Sequence, residues 1–146
     1  MNIEDQVVSL ELAKKLKEIG VKQESLWKWY SREWRTNGEK KKAFYVGRSD
    51  ADVPRLSSDS VNEVASAFTV AELMEQLPTT SRLDCEIGLE TEWKYWLTIE
   101  KKFECLWVVS YVGIEECWVC TMNKKLVDAF GMMLIWLVKN GYVEVD

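Results

Sequence analysis

The chain has 146 residues, the usual size of one domain, and its eight tryptophans supply many large rings for one core. Its net charge of −5 disfavours non-specific binding to nucleic acid or to anionic lipid, because both of these partners are themselves negative. It contains no histidine, the side chain that most often transfers protons near neutral pH, so the composition disfavours an enzyme.

The first predicted helix covers residues 10–18. Ser9 precedes it as a good N-cap, and Leu12 and Leu16 recur at the spacing of one helix face. Gly20 is typical of the left-handed residue that ends a helix.

A β-hairpin is predicted next. Residues 26–34 are rich in strand-forming aromatic side chains, and Asn37-Gly38 is the strongest short signal for a hairpin turn. Residues 44–46 supply the returning strand, and residues 50–62, with one proline and several serines and aspartates, are predicted to be a surface loop. The basic run at residues 40–42 lies beside the turn, where we interpret it as a solvated face.

A short second helix follows the capping box at residues 69–72. Apolar side chains then recur at helical spacing through residue 77, and Pro78 ends the helix.

Residues 83–122 are predicted to form an antiparallel meander. Its strands are residues 93–99, 103–111 and 117–122, and the last of them follows a turn around Gly113. One face of the middle strand is apolar throughout, so we expect this face to pack on helices.

The last predicted helix begins after Asn123 as N-cap, runs to about Lys139 and ends at Gly141. Its side chains are apolar nearly all round. Such a helix is either enclosed in the middle of the fold or offers a second apolar face to a partner.

Together these elements predict one α+β domain over residues 1–146, with an antiparallel sheet of about five strands packed against two or three helices. The first six residues hold two acids and no basic group, which is unlike a secretory signal. The longest apolar run, residues 129–138, is about half the length of a membrane-spanning helix. We therefore expect a cytoplasmic protein with no membrane partner.

Cys117 and Cys120 have the C-x-x-C spacing of a redox pair or of half a zinc site. Both uses require the sulfur atoms to converge, whereas residues three apart in an extended strand point to opposite faces. We therefore interpret these cysteines as buried, reduced thiols, and we predict no metal, no cofactor and no catalytic residue.

Residues 12–29 match a helix-turn-helix superficially, with Gly20 in the turn. In this DNA-binding hypothesis a second helix would place Gln23, Ser25 and Lys28 near the bases. The bulky aromatic residues that follow favour a strand instead, and the negative net charge also makes nucleic acid an unfavoured partner.

The tryptophans could line a surface for a ring-shaped ligand or for another protein. In the two most aromatic predicted strands the rings alternate between both faces, so one packed face cannot cover them all. The residues predicted to form such a ligand or partner surface are Trp27, Trp29, Trp34, Trp93, Trp96, Met133 and Trp136.

Three stretches also carry a resemblance: SLELAKKLKEIGVKQESLW at residues 9–27, SAFTVAELMEQLP at 66–78 and VDAFGMMLIWLVKNGYV at 127–143. In this order they resemble a family of small, uncharacterised proteins encoded in bacterial genomes and in phages or prophages. The resemblance implies a phage or mobile-element context. It carries over no activity and no functional residue, and residues 47–63 and the cysteine-containing meander lie outside it.

These observations favour a non-enzymatic accessory protein that binds another protein, or a second copy of itself, through an aromatic and apolar surface. One alternative is a small-ligand module that stacks a nucleotide-like ring on tryptophan. The other is the helix-turn-helix-like DNA binder.

Overall fold

The computed structural model describes residues 2–49, 60–78, 80–83, 93–103, 105–113 and 116–145, and it is an α+β fold. A short 3₁₀ turn at Ile3–Asp5 precedes the first helix. The described helices are α1 (Leu10–Glu18), α2 (Val70–Gln76) and α3 (Leu126–Lys139). The described strands are β1 (Trp27–Thr36), β2 (Glu39–Arg48), β3 (Ser60–Ser66), β4 (Thr80–Leu83), β5 (Trp93–Lys102), β6 (Leu106–Val112) and β7 (Cys117–Asn123).

The strands form two antiparallel sheets rather than the single sheet of about five strands that the sequence predicts. The hairpin sheet has the strand order β2-β1-β3, and the meander sheet has the order β4-β5-β6-β7. Turn signals identify which neighbouring strands pair, but they carry no information on whether two groups of paired strands join edge to edge. The one-sheet prediction therefore fails although most strands were placed correctly.

Helix α3 is the centre of the core. It contacts the helices α1 and α2 and the strands β6 and β7. Gly131 lets the residue before α1 approach α3 closely, since a Cβ atom at position 131 would lie 3.3 Å from Cγ1 of Val8 and 3.8 Å from Cδ1 of Leu12 in α1. Of the two expectations for this apolar helix, enclosure within the fold is the one confirmed. No helix in the described ranges is long and apolar enough to cross a bilayer.

The helix ends illustrate both local and long-range capping. At α2 the predicted capping box is confirmed, since Oγ1 of Thr69 accepts from the Glu72 amide at 3.3 Å and the Glu72 carboxylate accepts from the Thr69 amide at 2.7 Å. At α1 the side chain of Ser9 makes no capping bond. Instead the Ser9 amide donates to Oδ1 of Asp128 in α3 at 2.7 Å, so the beginning of α1 is tied to the central helix.

The predicted hairpin is confirmed, with Thr36 paired to Glu39 and both turn residues, Asn37 and Gly38, at positive φ. The predicted loop over residues 50–62 is wrong at its end, because Ser60 begins β3. The rest of that prediction, residues 50–59, lies outside the described residues. The helix-turn-helix geometry is also wrong, because residues 21–26 form no helix and β1 begins at residue 27.

The meander strands β5, β6 and β7 lie close to their predicted positions. The beginnings of β6 and of helix α3 differ from the prediction. Strand β6 begins at Leu106 rather than at residue 103, because Phe103 adopts a positive φ of 58° in the turn and is 87% exposed. Helix α3 begins at Leu126, and Asn123, the predicted N-cap, ends β7 and accepts a bond from the Lys125 amide at 3.0 Å.

Candidate functional site

Two of the residues predicted to form a surface are core residues. Met133 is fully buried in α3. Trp29 is also buried, and its indole Nε1 donates to the carbonyl oxygen of Val8 at 3.0 Å. Both predictions are wrong for the same reason: the strand and helix faces that carry these side chains are covered by elements distant in sequence.

Trp27 and Trp136 are half-buried and pack against the core. The Trp136 ring lies 5.4 Å from the Trp118 ring and stacks on the Tyr142 ring at 5.7 Å. The second face of α3 is therefore occupied at this position by β7 and by the residues after the helix, rather than offered to a partner.

The remaining predicted surface residues lie on different sheets. Trp34 is half-buried near the end of β1, with the Arg32 guanidinium 5.8 Å from its ring centroid. Trp96 lies on β5 and is 45% exposed. Trp93 begins β5, and its side chain lies outside the described part of the structure. The predicted residues are thus not brought together into one surface.

The most distinctive surface feature is the end of the β1–β2 hairpin, which we call the ribbon end and define as residues 32–43. Within the described residues, strand β1 pairs with β3 from Lys28 to Glu33. Beyond Glu33, β2 is the only described strand that pairs with β1. Residues 35–44 are all exposed. At about 3.3 Å per residue, the four residues from Glu33 to the turn project by about 13 Å.

The hairpin concentrates positive charge in an acidic protein. Residues 27–48 contain seven basic and two acidic side chains, a net charge of +5. The rest of the chain holds 12 basic and 22 acidic side chains, a net charge of −10. The local field at the hairpin is therefore opposite in sign to that expected from the whole chain.

Because side chains alternate along a strand, the ribbon end carries its basic groups on both faces. Arg32 and Lys41 lie on one face, together with Trp34, and Lys41 pairs directly with Trp34. Arg35 and its pairing partner Lys40 lie on the other face, together with Lys42, which pairs with Glu33. Neither face of the ribbon is neutral.

Glu33 organises the lysines on its face. Its carboxylate lies 2.9 Å from Nζ of Lys40 and 3.3 Å from Nζ of Lys42. The hydrogen bond from Lys40, followed by that from Lys42, lowers the pKa of the Glu33 carboxyl, so it remains ionised. The Phe44 ring lies between Lys42 and Lys14, whose Nζ atoms are 5.4 and 5.3 Å from the ring centroid.

The root of the hairpin is held firmly. Lys28 is buried, and its ammonium donates to Oγ of Ser66 at 2.9 Å, pairs with Glu63 at 3.2 Å and contacts the Gln23 carbonyl oxygen. Tyr30 stacks on Tyr45 of the neighbouring strand, with ring centroids 5.6 Å apart. The ribbon end therefore extends from a fixed base.

Two cavities in the described structure bear on the stacked-ring alternative. One, of about 540 Å³, is bordered by four acidic side chains, and the other, of about 360 Å³, lies between α2 and the beginning of α3. The acidic side chains of the first are Glu24, Glu72, Glu75 and Glu144. Neither cavity is lined by tryptophan, so neither supports the nucleotide-stacking alternative. Within the described residues, no three potential metal ligands of the His, Cys, Asp or Glu type converge.

Neither the total charge of the chain nor the run of three lysines at residues 40–42 indicates the ribbon end. A charge count over the predicted hairpin, residues 26–46, gives six basic and two acidic side chains, a net charge of +4. The placement of these side chains on the ribbon end could not be found in this way, since it depends on how the strands pair in the folded chain.

Comparison of the chain with family models, with curated proteins and with solved structures gave no match. The resemblance to small bacterial and phage proteins stays a prediction.

Proposed function

We propose that the protein is a non-enzymatic DNA-binding protein that inserts the ribbon end into a groove of duplex DNA. The observation that supports this proposal is a net charge of +3 on the two-stranded ribbon end, within a hairpin of net +5, in a chain that is otherwise strongly acidic. The proposal keeps the expectation of a binding protein, but it replaces the recognition helix with a β-ribbon.

The distribution of charge on the ribbon favours a duplex over a flat acidic partner. The major groove of B-DNA admits a two-stranded β-ribbon and has a phosphate row along each side. A ribbon with basic groups on both faces can approach both rows at once. A flat acidic protein surface would contact only one face of the ribbon.

Binding of this kind depends mainly on phosphate contacts and therefore on salt. The exposed basic side chains of the ribbon end are Arg35, Lys40, Lys41 and Lys42. If each neutralises one phosphate, the logarithm of the association constant should fall with the logarithm of salt concentration with a slope of about −3.6. The acidic remainder of the chain repels DNA and so directs the approach toward the ribbon.

The test is fluorescence anisotropy of a labelled 20-base-pair duplex, titrated with the protein between about 50 and 200 mM salt. The variant Lys40→Gln with Lys41→Gln should bind several-fold more weakly, and its salt slope should be smaller by about 2. The control variant Lys124→Gln with Lys139→Gln removes the same charge from exposed positions outside the hairpin and should keep the slope.

Two outcomes would contradict the proposal. One is equal loss of affinity in both double variants, which would mean that net charge alone matters. The other is competition by an acidic polypeptide as effective as competition by unlabelled duplex, which would identify the partner as an acidic protein.

A second candidate keeps the predicted protein partner, and it is supported by the face of the meander sheet turned away from α3. Trp96 and Met122, on opposite sides of the central strand β6, are 45% and 52% exposed on this face. If a second copy binds there, light scattering of the unmodified protein should show a dimer that Trp96→Ser with Met122→Ser abolishes. A monomer at all concentrations would contradict the homodimer.

A further inference from the structure

Strand β7 contains a β-bulge between the two cysteines of the C-x-x-C sequence. Tyr111 of β6 pairs with Val119, but the next residue, Val112, pairs with Cys117. Trp118 is therefore an extra residue without its own partner on β6. The two cysteines are expected to point to opposite faces only in an unbroken strand. The bulge interrupts the alternation of side chains between them.

The register places both thiols on one face of the meander sheet. Cys120 pairs with Ser110 and Cys117 pairs with Val112. Residues 110 and 112 are two apart in a regular strand, so they and their partners share a face. This is the face turned away from α3, and both thiols are exposed rather than buried. Exposed Cys105 precedes the opposite end of β6, far from the pair.

The bulge is fixed from the opposite face of the sheet. The Trp118 ring lies 4.7 to 5.9 Å from four other aromatic rings of the inner cluster. These rings belong to Tyr95, Tyr111, Trp136 and Tyr142. Because these contacts join β7 to neighbouring strands and to α3, the side-by-side arrangement of the thiols is a property of the folded chain.

The raised pKa of Cys117 agrees with a short distance between the two thiols and with slow reaction of the Cys117 thiol. Partial burial and then the neighbouring Cys120 thiol raise the pKa of Cys117 above its ordinary value. The thiolate is the attacking species in disulfide exchange, so a raised pKa slows the reaction of Cys117 with a disulfide at neutral pH.

We propose that Cys117 and Cys120 form a vicinal dithiol that closes to an intrastrand disulfide on reaction with a low-molecular-weight disulfide such as oxidised glutathione. One thiolate attacks a glutathione sulfur, forms a mixed disulfide and releases one glutathione thiolate. The second cysteine then attacks the protein-bound sulfur, forms the Cys117–Cys120 bond and releases the other glutathione. The protein loses two electrons and two protons, and one oxidised glutathione becomes two reduced molecules.

Closure should be reported by the aromatic cluster. Positions two apart along a regular strand lie about 6.6 to 6.8 Å apart between Cα atoms, at the upper end of the range for a disulfide. Forming the bond therefore draws the two ends of the bulge together. Trp118 lies between them in sequence, so its packing against Trp136 and Tyr142 must change. We expect a change in tryptophan fluorescence that is reversed by reduction.

The experiment uses the Cys105→Ser variant, because trypsin then yields a peptide, residues 103–124, whose only cysteines are the proposed pair. After equilibration with oxidised glutathione, mass spectrometry should find this peptide lighter by two hydrogen atoms. In the variant Cys105→Ser with Cys120→Ser, closure is impossible and the same peptide should carry one glutathione. The fluorescence change should occur in the first variant and be absent in the second.

Three results would overturn the proposal. In the first, the folded protein keeps both thiols free or stops at the mixed disulfide, whereas the protein unfolded in urea forms the Cys117–Cys120 disulfide at the same glutathione concentration. The peptide could instead be crosslinked to the peptide that contains Cys85. Closure without any fluorescence change would contradict the coupling to Trp118.

Discussion

The hairpin sheet and the meander sheet are both rich in aromatic side chains, but among the described residues the main strand contacts of the central helix α3 are with β6 and β7 of the meander sheet. In the meander sheet Trp118 joins a cluster that reaches into α3. In the hairpin sheet the rings are buried at the root, as Trp29 is, while the ribbon end carries mainly charge. Whether the rings of an aromatic strand belong to the core or to the surface is thus decided by which of its residues another element covers. Burial, rather than composition, stabilises the packed rings.

The largest expected effect tests the enclosed side of this comparison. Met133→Asp places a carboxylate without a partner in the fully buried face of α3, and we expect the free energy of unfolding to fall by at least about 4 kcal/mol. Chemical denaturation measures the effect. The neighbouring Met132→Asp, at an exposed position, should cost much less. Equal losses would mean that α3 is not enclosed.

A smaller effect concerns a single hydroxyl in the meander sheet. Tyr111 is fully buried and its hydroxyl donates to the carbonyl oxygen of Pro78 at 2.6 Å. We expect Tyr111→Phe to reduce the free energy of unfolding by about 1 to 2 kcal/mol at neutral pH, because the hydrogen bond is lost. Tyr142→Phe, which removes a hydroxyl from a residue that is 41% exposed and keeps its ring, is the control and should change stability little.

The same hydroxyl predicts a dependence on alkaline pH. Burial raises the pKa of Tyr111 to about 12 from an ordinary value of 10.0, because the folded protein disfavours the phenolate. This stabilisation is fully present below pH 10 and is lost as the pH rises from 10 toward 12. Denaturation curves at these pH values should show that the free energy of unfolding falls less between pH 10 and 12 in Tyr111→Phe than in Tyr142→Phe. Parallel losses would contradict the assignment.

The smallest effect is expected at the ribbon end. Gly38 has a φ of 81°, and a Cβ atom there would meet nothing within 4 Å, so Gly38→Ala should cost about 1 kcal/mol through the backbone alone. Gly38→Asn should cost less, since asparagine tolerates the left-handed conformation. Thermal denaturation of both variants makes the comparison. A loss as large as that of Met133→Asp would mean that the turn packs against the body.

Local signals predicted the features that depend on a few neighbouring residues. The turn at Asn37 and Gly38 and the capping box between Thr69 and Glu72 were both predicted correctly. The cap at the beginning of α1 was not, because its acceptor, Asp128, is 119 residues away from Ser9. For the candidate site the basic residues were readable from the sequence, whereas their display on a projecting ribbon was not.

The sequence by itself determined the α+β class, the helices, most strands and the concentration of charge on one hairpin, because these depend on propensity, periodicity and composition over short windows. Only the tertiary structure decided that the strands divide into two sheets, that Met133 is enclosed, and that the bulge at Trp118 turns Cys117 and Cys120 to one face. Each of these depends on contacts between segments far apart in the chain, and the free energy of those contacts has no local signature.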